Sequence, residues 1–234
     1  MNNVLPIFKK ELRSYFSSPV AYIVIMVFVL ICGLFFSISL FPTGQASLRS
    51  FFQIVPFVLS FYVPALTMRL IAEEKKAGTF ELLTTMPVAD MDIVLGKYLA
   101  AVVLLGVAYL FSLPHVITIG LLGKLDAGAT FAGYLGLLLL GAGYMAVGIL
   151  ASALTENQIV AFIIAFLATL SLSLVDKLLM FVPKSMASIL EYLSAEYHFN
   201  NIARGVIDTR DLVYYASLIL LGLYFSARAV QRRF

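Results

Sequence analysis

Residues able to do acid–base or metal chemistry are few, and most of them sit together. Glu73, Glu74, Glu81, Asp90 and Asp92 fall within the stretch Ile71–Gly96, with Lys75 and Lys76 among them. Paired carboxylates act as general acid and base when their surroundings push their pKa values apart. Carboxylates near histidines hold metals. The spacing here fits neither pattern, and the two histidines, His115 and His198, are distant in sequence. The chain has no H-E-x-x-H, no G-x-S-x-G elbow and no G-x-x-x-x-G-K-[ST] loop, so it cannot cradle nucleotide phosphates by itself. Its one cysteine, Cys32, lies in an apolar run and reads as a small buried residue. It can form neither an intrachain disulfide nor a cysteine metal cluster. The expectation is no catalytic residue, no metal and no cofactor within this chain.

Ionisable groups are also missing from the middle of the apolar runs, since Glu156 and Asp176 stand at their ends. Ion-coupled transporters commonly keep such a group at depth. If this chain drives transport against a gradient, energy must reach it from a partner. His115 follows Pro114 inside an apolar run and is expected to bond the carbonyl that the proline frees.

The elements around these residues are set by hydropathy. The chain has 234 residues, 62% hydrophobic and 12% charged, where a soluble domain is about half apolar and a quarter charged. The excess points to an all-α polytopic membrane protein. A span takes about 20 apolar residues, which leaves room for about six and none for a soluble catalytic domain. We read spans at Val20–Leu40, Phe51–Leu70, Ile93–Gly120, Phe131–Leu154, Ile159–Val175 and Leu212–Val230. Pro56 and Pro64 each remove a hydrogen bond from the second, a loss that neighbouring helices can compensate. Gly133, Gly136, Gly141, Gly143 and Gly148 give the fourth a small face suited to close packing.

Residues 2–16 form an amphipathic helix capped by Asn2 or Asn3. Leu5, Phe8, Leu12 and Tyr15/Phe16 lie on its apolar face, with Lys9, Lys10 and Arg13 opposite. Such a helix lies in the membrane interface, basic face toward lipid headgroups. MNNVLPIFKKELRSYF has no apolar core before its charges, so a cleavable signal is not expected. Residues 72–92 form a charged loop containing a helix over Ala72–Met86, weakened at Gly78 and ended by Pro87, with Asp90 capping the helix that follows. Residues 176–210 are too polar to span and too apolar for a free loop. A pair of short helices dipping into the outer leaflet fits them, and Asp208 or Asp211 caps the last span.

Six spans put both termini on one side, and the positive-inside rule chooses it. With both termini inside, the inner basic residues are Lys9, Lys10, Arg13, Arg69, Lys75, Lys76, Lys97, Arg228, Arg232 and Arg233. The outer ones are Arg49, Lys124, Lys177, Lys184, Arg204 and Arg210. The termini and residues 72–92 are therefore expected in the cytoplasm of a multi-pass protein of the inner (plasma) membrane. A net charge of +3, clustered at span ends, is membrane topology and not a nucleic-acid footprint.

Arg69, Glu73-Glu74, Gly78-Thr79, Glu81-Leu82-Leu83, Pro87 and Gly96-Lys97, read in that order between two spans, resemble the ABC type-2, exporter-type permeases. KKELRSYFSSP near the N-terminus and the turn Leu154-Thr155-Glu156-Asn157-Gln158 support the match. The ending HFNNIARGVIDTRDLVYY is similar to the subgroup of gliding-motility-associated and nitrous-oxide-reductase-maturation permeases. The resemblance implies a single transmembrane permease domain over residues 1–234, with a coupling helix docked on a cytoplasmic ABC ATPase that carries ATP and Mg. The coupling residues would be Glu73, Glu74, Lys75, Lys76, Gly78, Thr79, Phe80 and Glu81. It implies a second permease copy, as homodimer or heterodimer, and a re-entrant hairpin before the last span, where Tyr197, His198, Arg204 and Gly205 would form an outer gate. An extracytoplasmic auxiliary protein and membrane lipids complete the expected partners, without nucleic acid. The rival readings are an integral-membrane enzyme acting on lipid-linked substrates and a structural anchor for a larger complex. The first needs converging acidic or histidine groups at an interface; the second needs no ATPase at all.

Overall fold

The structure is a computed structural model that describes residues 3–43, 48–80, 88–123, 125–178 and 190–231. Among them there are helices and turns and no strand. The helices are α1 (Val4–Ser17), α2 (Pro19–Thr43), α3 (Arg49–Thr67), α4 (Ala72–Lys76), α5 (Asp90–Leu110), α6 (Leu113–Leu122), α7 (Ala127–Leu154), α8 (Gln158–Leu178), α9 (Ala195–Ala203) and α10 (Thr209–Gln231). Six helical segments are long and apolar enough to cross a membrane, at Pro19–Ile38, Arg49–Lys76, Asp90–Leu122, Ala127–Leu154, Gln158–Lys177 and Thr209–Gln231. They fall where the hydropathy places spans.

Helix α7 is the hub. It packs against α3, α5, α8, α9 and α10, and its glycines make this close approach sterically feasible. A Cβ on Gly148 would stand 2.1 Å from the Thr67 hydroxyl, and one on Gly141 would stand 2.3 Å from Leu105. Both lie far inside van der Waals contact, so only glycine lets α3 and α5 approach this closely. The contact is returned at Gly222 of α10, where a Cβ would stand 2.8 Å from the Ala146 carbonyl oxygen. In contrast α8 keeps most of its apolar surface outward, with Ile159, Ile163 and Leu167 exposed. In a membrane protein such a face meets lipid or another chain.

Several polar groups inside the bundle find partners on neighbouring helices. Pro64 cannot donate to the carbonyl of Ser60, and Thr169 of α8 places its hydroxyl 2.8 Å from that oxygen. Tyr98 and Tyr109 of α5 donate to the carbonyls of Ala142 and Leu137 on α7, at 3.1 and 3.0 Å. Each phenol thereby joins two spans through a bond that hydrocarbon cannot replace.

Several local expectations change. The loop helix does not run from Ala72 to Met86. It stops at Lys76, and Gly78 takes a left-handed φ of 70° before residues 79–80 turn helical again. A left-handed residue cannot continue a right-handed helix, so Gly78 breaks the element instead of weakening it. Residues 81–87, including Glu81, Leu82, Leu83, Met86 and Pro87, lie outside the described residues. Asp90 is the first residue of α5, not its cap; Ala89 holds the cap position without a side-chain bond. Asn3 is the N-cap residue of α1, also without a side-chain cap bond, and Leu5 of the supposed apolar face is exposed. Ile7 packs instead, because it is the residue that meets Gly96 on α5. The span with Pro114 is interrupted at Phe111 and Ser112, so α5 and α6 are separate helices. His115 places Nδ1 2.8 Å from the Ser112 carbonyl, not the one that Pro114 frees, and its ring sits between Phe36 and Phe51. Asp208 caps α10 by accepting from the Arg210 amide at 3.0 Å, which holds its carboxyl below the usual range. Asp211 does other work.

Candidate functional site

Two polar clusters stand out, and they occupy opposite ends of the bundle. The first is built on Lys97, in the second turn of α5. Gly96 beside it lets α1 settle on α5, since a Cβ there would fall 2.6 Å from Ile7. This seating brings Glu11 of α1 to the lysine, with its Oε1 3.0 Å from Nζ. Glu74 of α4 approaches from the other side at 2.7 Å. The Lys97 side chain is only 1% exposed, so its charge is removed from water and must be matched by these carboxylates. Three elements far apart in sequence thus meet at one ammonium group.

The turn that carries Glu74 is fastened a second time. Ser152, fully buried near the end of α7, accepts from the amides of Ile71 and Ala72 at 3.0 Å each and donates to the Met68 carbonyl at 3.1 Å. The first amides of a helix have no partner within it, so Ser152 caps α4 from another helix. Lys75 donates from Nζ to the Ala153 carbonyl and lies over the Phe80 ring, 5.9 Å from its centre. Phe80 is itself buried in the bundle. A cavity of about 350 Å3 lies beside this cluster and touches Glu11, Tyr15, Arg69, Glu74 and Lys97. Burial, with the charge of Glu11 adding to it, pushes the Tyr15 phenol well above its ordinary value.

The predicted coupling residues therefore divide. Glu74, Lys75 and Phe80 face the bundle. Glu73 pairs at 2.7 Å with Arg69 one turn before it, both about two-fifths exposed. Lys76, Gly78 and Thr79 form the exposed edge, and Glu81 lies outside the described residues. Glu11 and Ser152 were not singled out from sequence. The one hint at Glu11 is its sign, an acid on a helix whose other charges are basic. Ser152 offers no hint, because its partners are about eighty positions away in the chain.

The second cluster joins α8, α9 and α10. His198 of α9 is buried, with Nδ1 2.6 Å from Asp211 and Nε2 3.3 Å from the Tyr192 carbonyl. Its ring stacks on Tyr214 at 4.1 Å and meets Tyr197 edge-on. Glu196, also buried, pairs at 2.7 Å with Lys177, whose side chain is 61% exposed. The Tyr215 hydroxyl donates to the Ala195 carbonyl at 2.7 Å. Of the predicted gate residues, His198 is thus an internal clamp between α9 and α10, and Tyr197 is half-buried over it. Arg204 and Gly205 form the exposed turn after α9, with Gly205 at a φ of 88°. Buried carboxylates do exist in this chain, then, although each lies near the end of a helix.

No group of three or more histidine, cysteine, aspartate or glutamate side chains is arranged to hold a metal ion among the described residues. In both clusters ion pairs and hydrogen bonds join separate segments, and each keeps one buried carboxylate oxygen, Oε2 of Glu74 and Oδ2 of Asp211, without a hydrogen-bond partner among the described residues. This arrangement holds segments together. A family model described as ABC-2 family transporter protein matches residues 43–197, which is more than half of the chain. No curated protein matches it.

Proposed function

The chain belongs to the ABC-2 family of transporter proteins, and on that premise we propose that it is the permease subunit of an exporter, driven by a separate cytoplasmic ABC ATPase that carries ATP and Mg. It is a multi-pass membrane protein of a family whose members are generally non-catalytic and typically work with an ATPase. The turn around α4 is the coupling element in this reading, over residues 72–92 of a single permease domain. One observation carries it: the turn is tied to α1 and α5 through Lys97 and to α7 through Ser152 and Ala153. A push on a free loop is dissipated. A push on this turn moves a buried charge shared with the third span and the cap provided by the central helix.

The docking surface is then the exposed edge, Lys76, Gly78 and Thr79 with Glu73 beside it. Glu74, Lys75 and Phe80 transmit. Both termini and this edge lie in the cytoplasm of the inner (plasma) membrane, with α1 in the interface and its basic face on headgroups. The segment containing α9 is re-entrant on the outer side, where Tyr197, His198, Arg204 and Gly205 close the path. A second copy completes it, most simply as a homodimer across outward apolar faces such as that of α8. The ending HFNNIARGVIDTRDLVYY supports the gliding-motility and nitrous-oxide-reductase-maturation subgroup, and an extracytoplasmic auxiliary protein is consistent with that placement.

The test uses the cytoplasmic ABC ATPase that this reading requires as bait. Lys76→Glu with Thr79→Asp is expected to abolish its co-purification while the permease stays folded. Phe80→Ala is expected to retain binding and uncouple hydrolysis from transport in vesicles. Wild-type binding and transport by both variants would reduce the turn to a solvated loop.

A further inference from the structure

At the end of the bundle opposite Lys97, a cavity of about 510 Å3 lies between the start of α3, the α6–α7 junction and the end of α9. Its floor is apolar, formed by Leu48, Phe52 and Ile119, all buried. Its rim is polar, with Arg49, Gln53, Asn200 and Arg204 among the lining residues. We propose that this cavity is a headgroup site for an anionic phospholipid of the leaflet at that end. The volume falls within the roughly 300–1,000 Å3 of small-molecule sites.

The rim is built to donate. Arginine presents several N–H groups in a planar fork that matches a phosphate, and the amides of Gln53 and Asn200 add further donors. Asp126 is the one acidic group in the lining, and Oδ1 of its carboxylate accepts from the Ala129 amide at 3.1 Å to cap α7. The Thr130 hydroxyl is likewise spent on the Asp126 carbonyl at 2.7 Å. The lining residues carry two guanidinium groups and one carboxylate, a formal excess of one positive charge, which suits a phosphodiester monoanion. Arg204 has no ion pair or side-chain hydrogen bond among the described residues. It is held there by the turn at Gly205, whose amide donates to the Ile202 carbonyl at 2.9 Å.

A free phosphate shares the headgroup's chemistry but leaves the apolar floor bare. Arg49 opens the second spanning helix and Asp126 precedes the fourth, which sets the rim at the level of lipid headgroups. Basic pockets between membrane helices on the cytoplasmic side bind anionic headgroups, and the same charge pairing serves at this end. The leaflet rests on the topology proposed above, in which this end is external.

The experiment is native mass spectrometry of the full chain in detergent, supplied with phosphatidylglycerol or with phosphatidylcholine. Lys9→Gln, Lys10→Gln and Arg13→Gln form the background, to remove headgroup binding at the other end. One phosphatidylglycerol per chain is expected to be retained, with binding about a hundredfold weaker or more in Arg49→Gln/Arg204→Gln, since two charge-assisted bonds are lost at on the order of 1.5–3 kcal/mol each. Equal retention by that variant overturns the site, and so does equal retention of phosphatidylcholine. Displacement of the lipid by millimolar inorganic phosphate overturns the lipid assignment. The leaflet is checked separately by a cysteine at Ala127 in a Cys32→Ala chain, which an impermeant thiol reagent should reach from outside the cell. Failure of that labelling overturns the topology and leaves lipid retention standing; loss of lipid selectivity does the reverse.

Discussion

At one end of the bundle a single lysine, wholly enclosed, joins three elements. At the other end the charged contacts are separate: Glu196 meets a lysine that reaches solvent and also pairs with Asp176, and Asp211 meets a buried histidine. The difference lies in how many segments share a charge and how much water reaches it. Where α1, α4 and α5 share one buried ammonium group, moving any of them leaves a charge without its match. Where Glu196 meets Lys177, water can take over from either partner. The first arrangement suits a joint that transmits displacement. The second suits a clasp that holds α9 against α8 and α10 and can yield.

Breaking the first cluster should cost most. Lys97→Ala strands Glu11 and Glu74 together, and loss of one member of a buried pair costs about 3–5 kcal/mol. Thermal unfolding in detergent should show a large loss of stability. Lys97→Met combined with Glu11→Gln and Glu74→Gln removes all three charges and should recover much of it, while ATPase-driven transport stays impaired. If the triple variant transports normally, the cluster serves stability alone.

At the opposite end, Asp211→Ala leaves Nδ1 of His198 without its acceptor in a buried site, at about 1–3 kcal/mol. The expected signature is loosening of α9, read as faster proteolysis near Arg204, with ATPase binding unchanged. Loss of ATPase binding would mean that the two ends are not separable.

Gly78→Ala probes the turn itself. A Cβ there has open space around it, but φ is 70°, and a side chain in the left-handed region costs about 1–2 kcal/mol. The cost should appear as weaker coupling with little change in overall unfolding. Coupling equal to wild type would show that the turn tolerates rearrangement.

Glu196→Gln should have the smallest effect. Lys177 is largely solvent-exposed, so the pair is worth about 1 kcal/mol or less, and added salt should narrow the gap from wild type. A loss as large as that of Lys97→Ala would erase the distinction between a joint and a clasp.

Apolar length alone was enough to place the six spans, because backbone in hydrocarbon must satisfy its hydrogen bonds within helices whatever their neighbours. The small face of α7 and the compensated proline at Pro64 were legible for similar reasons: glycine content and a missing amide are properties of the residue itself. Left-handed backbone at Gly78 was only half legible. Glycine permits that conformation without requiring it, so a continuous helix over Ala72–Met86 remained consistent with the residues alone. Only tertiary structure decided which charges face inward. Lys97 reads as one more basic residue at a span end until Gly96 admits α1 and Glu11 arrives from eighty-six positions away. Glu74 and Phe80 read as docking groups until Ser152 and Ala153 turn α4 toward the bundle. Each of these contacts depends on how distant segments pack, and hydropathy carries no record of that.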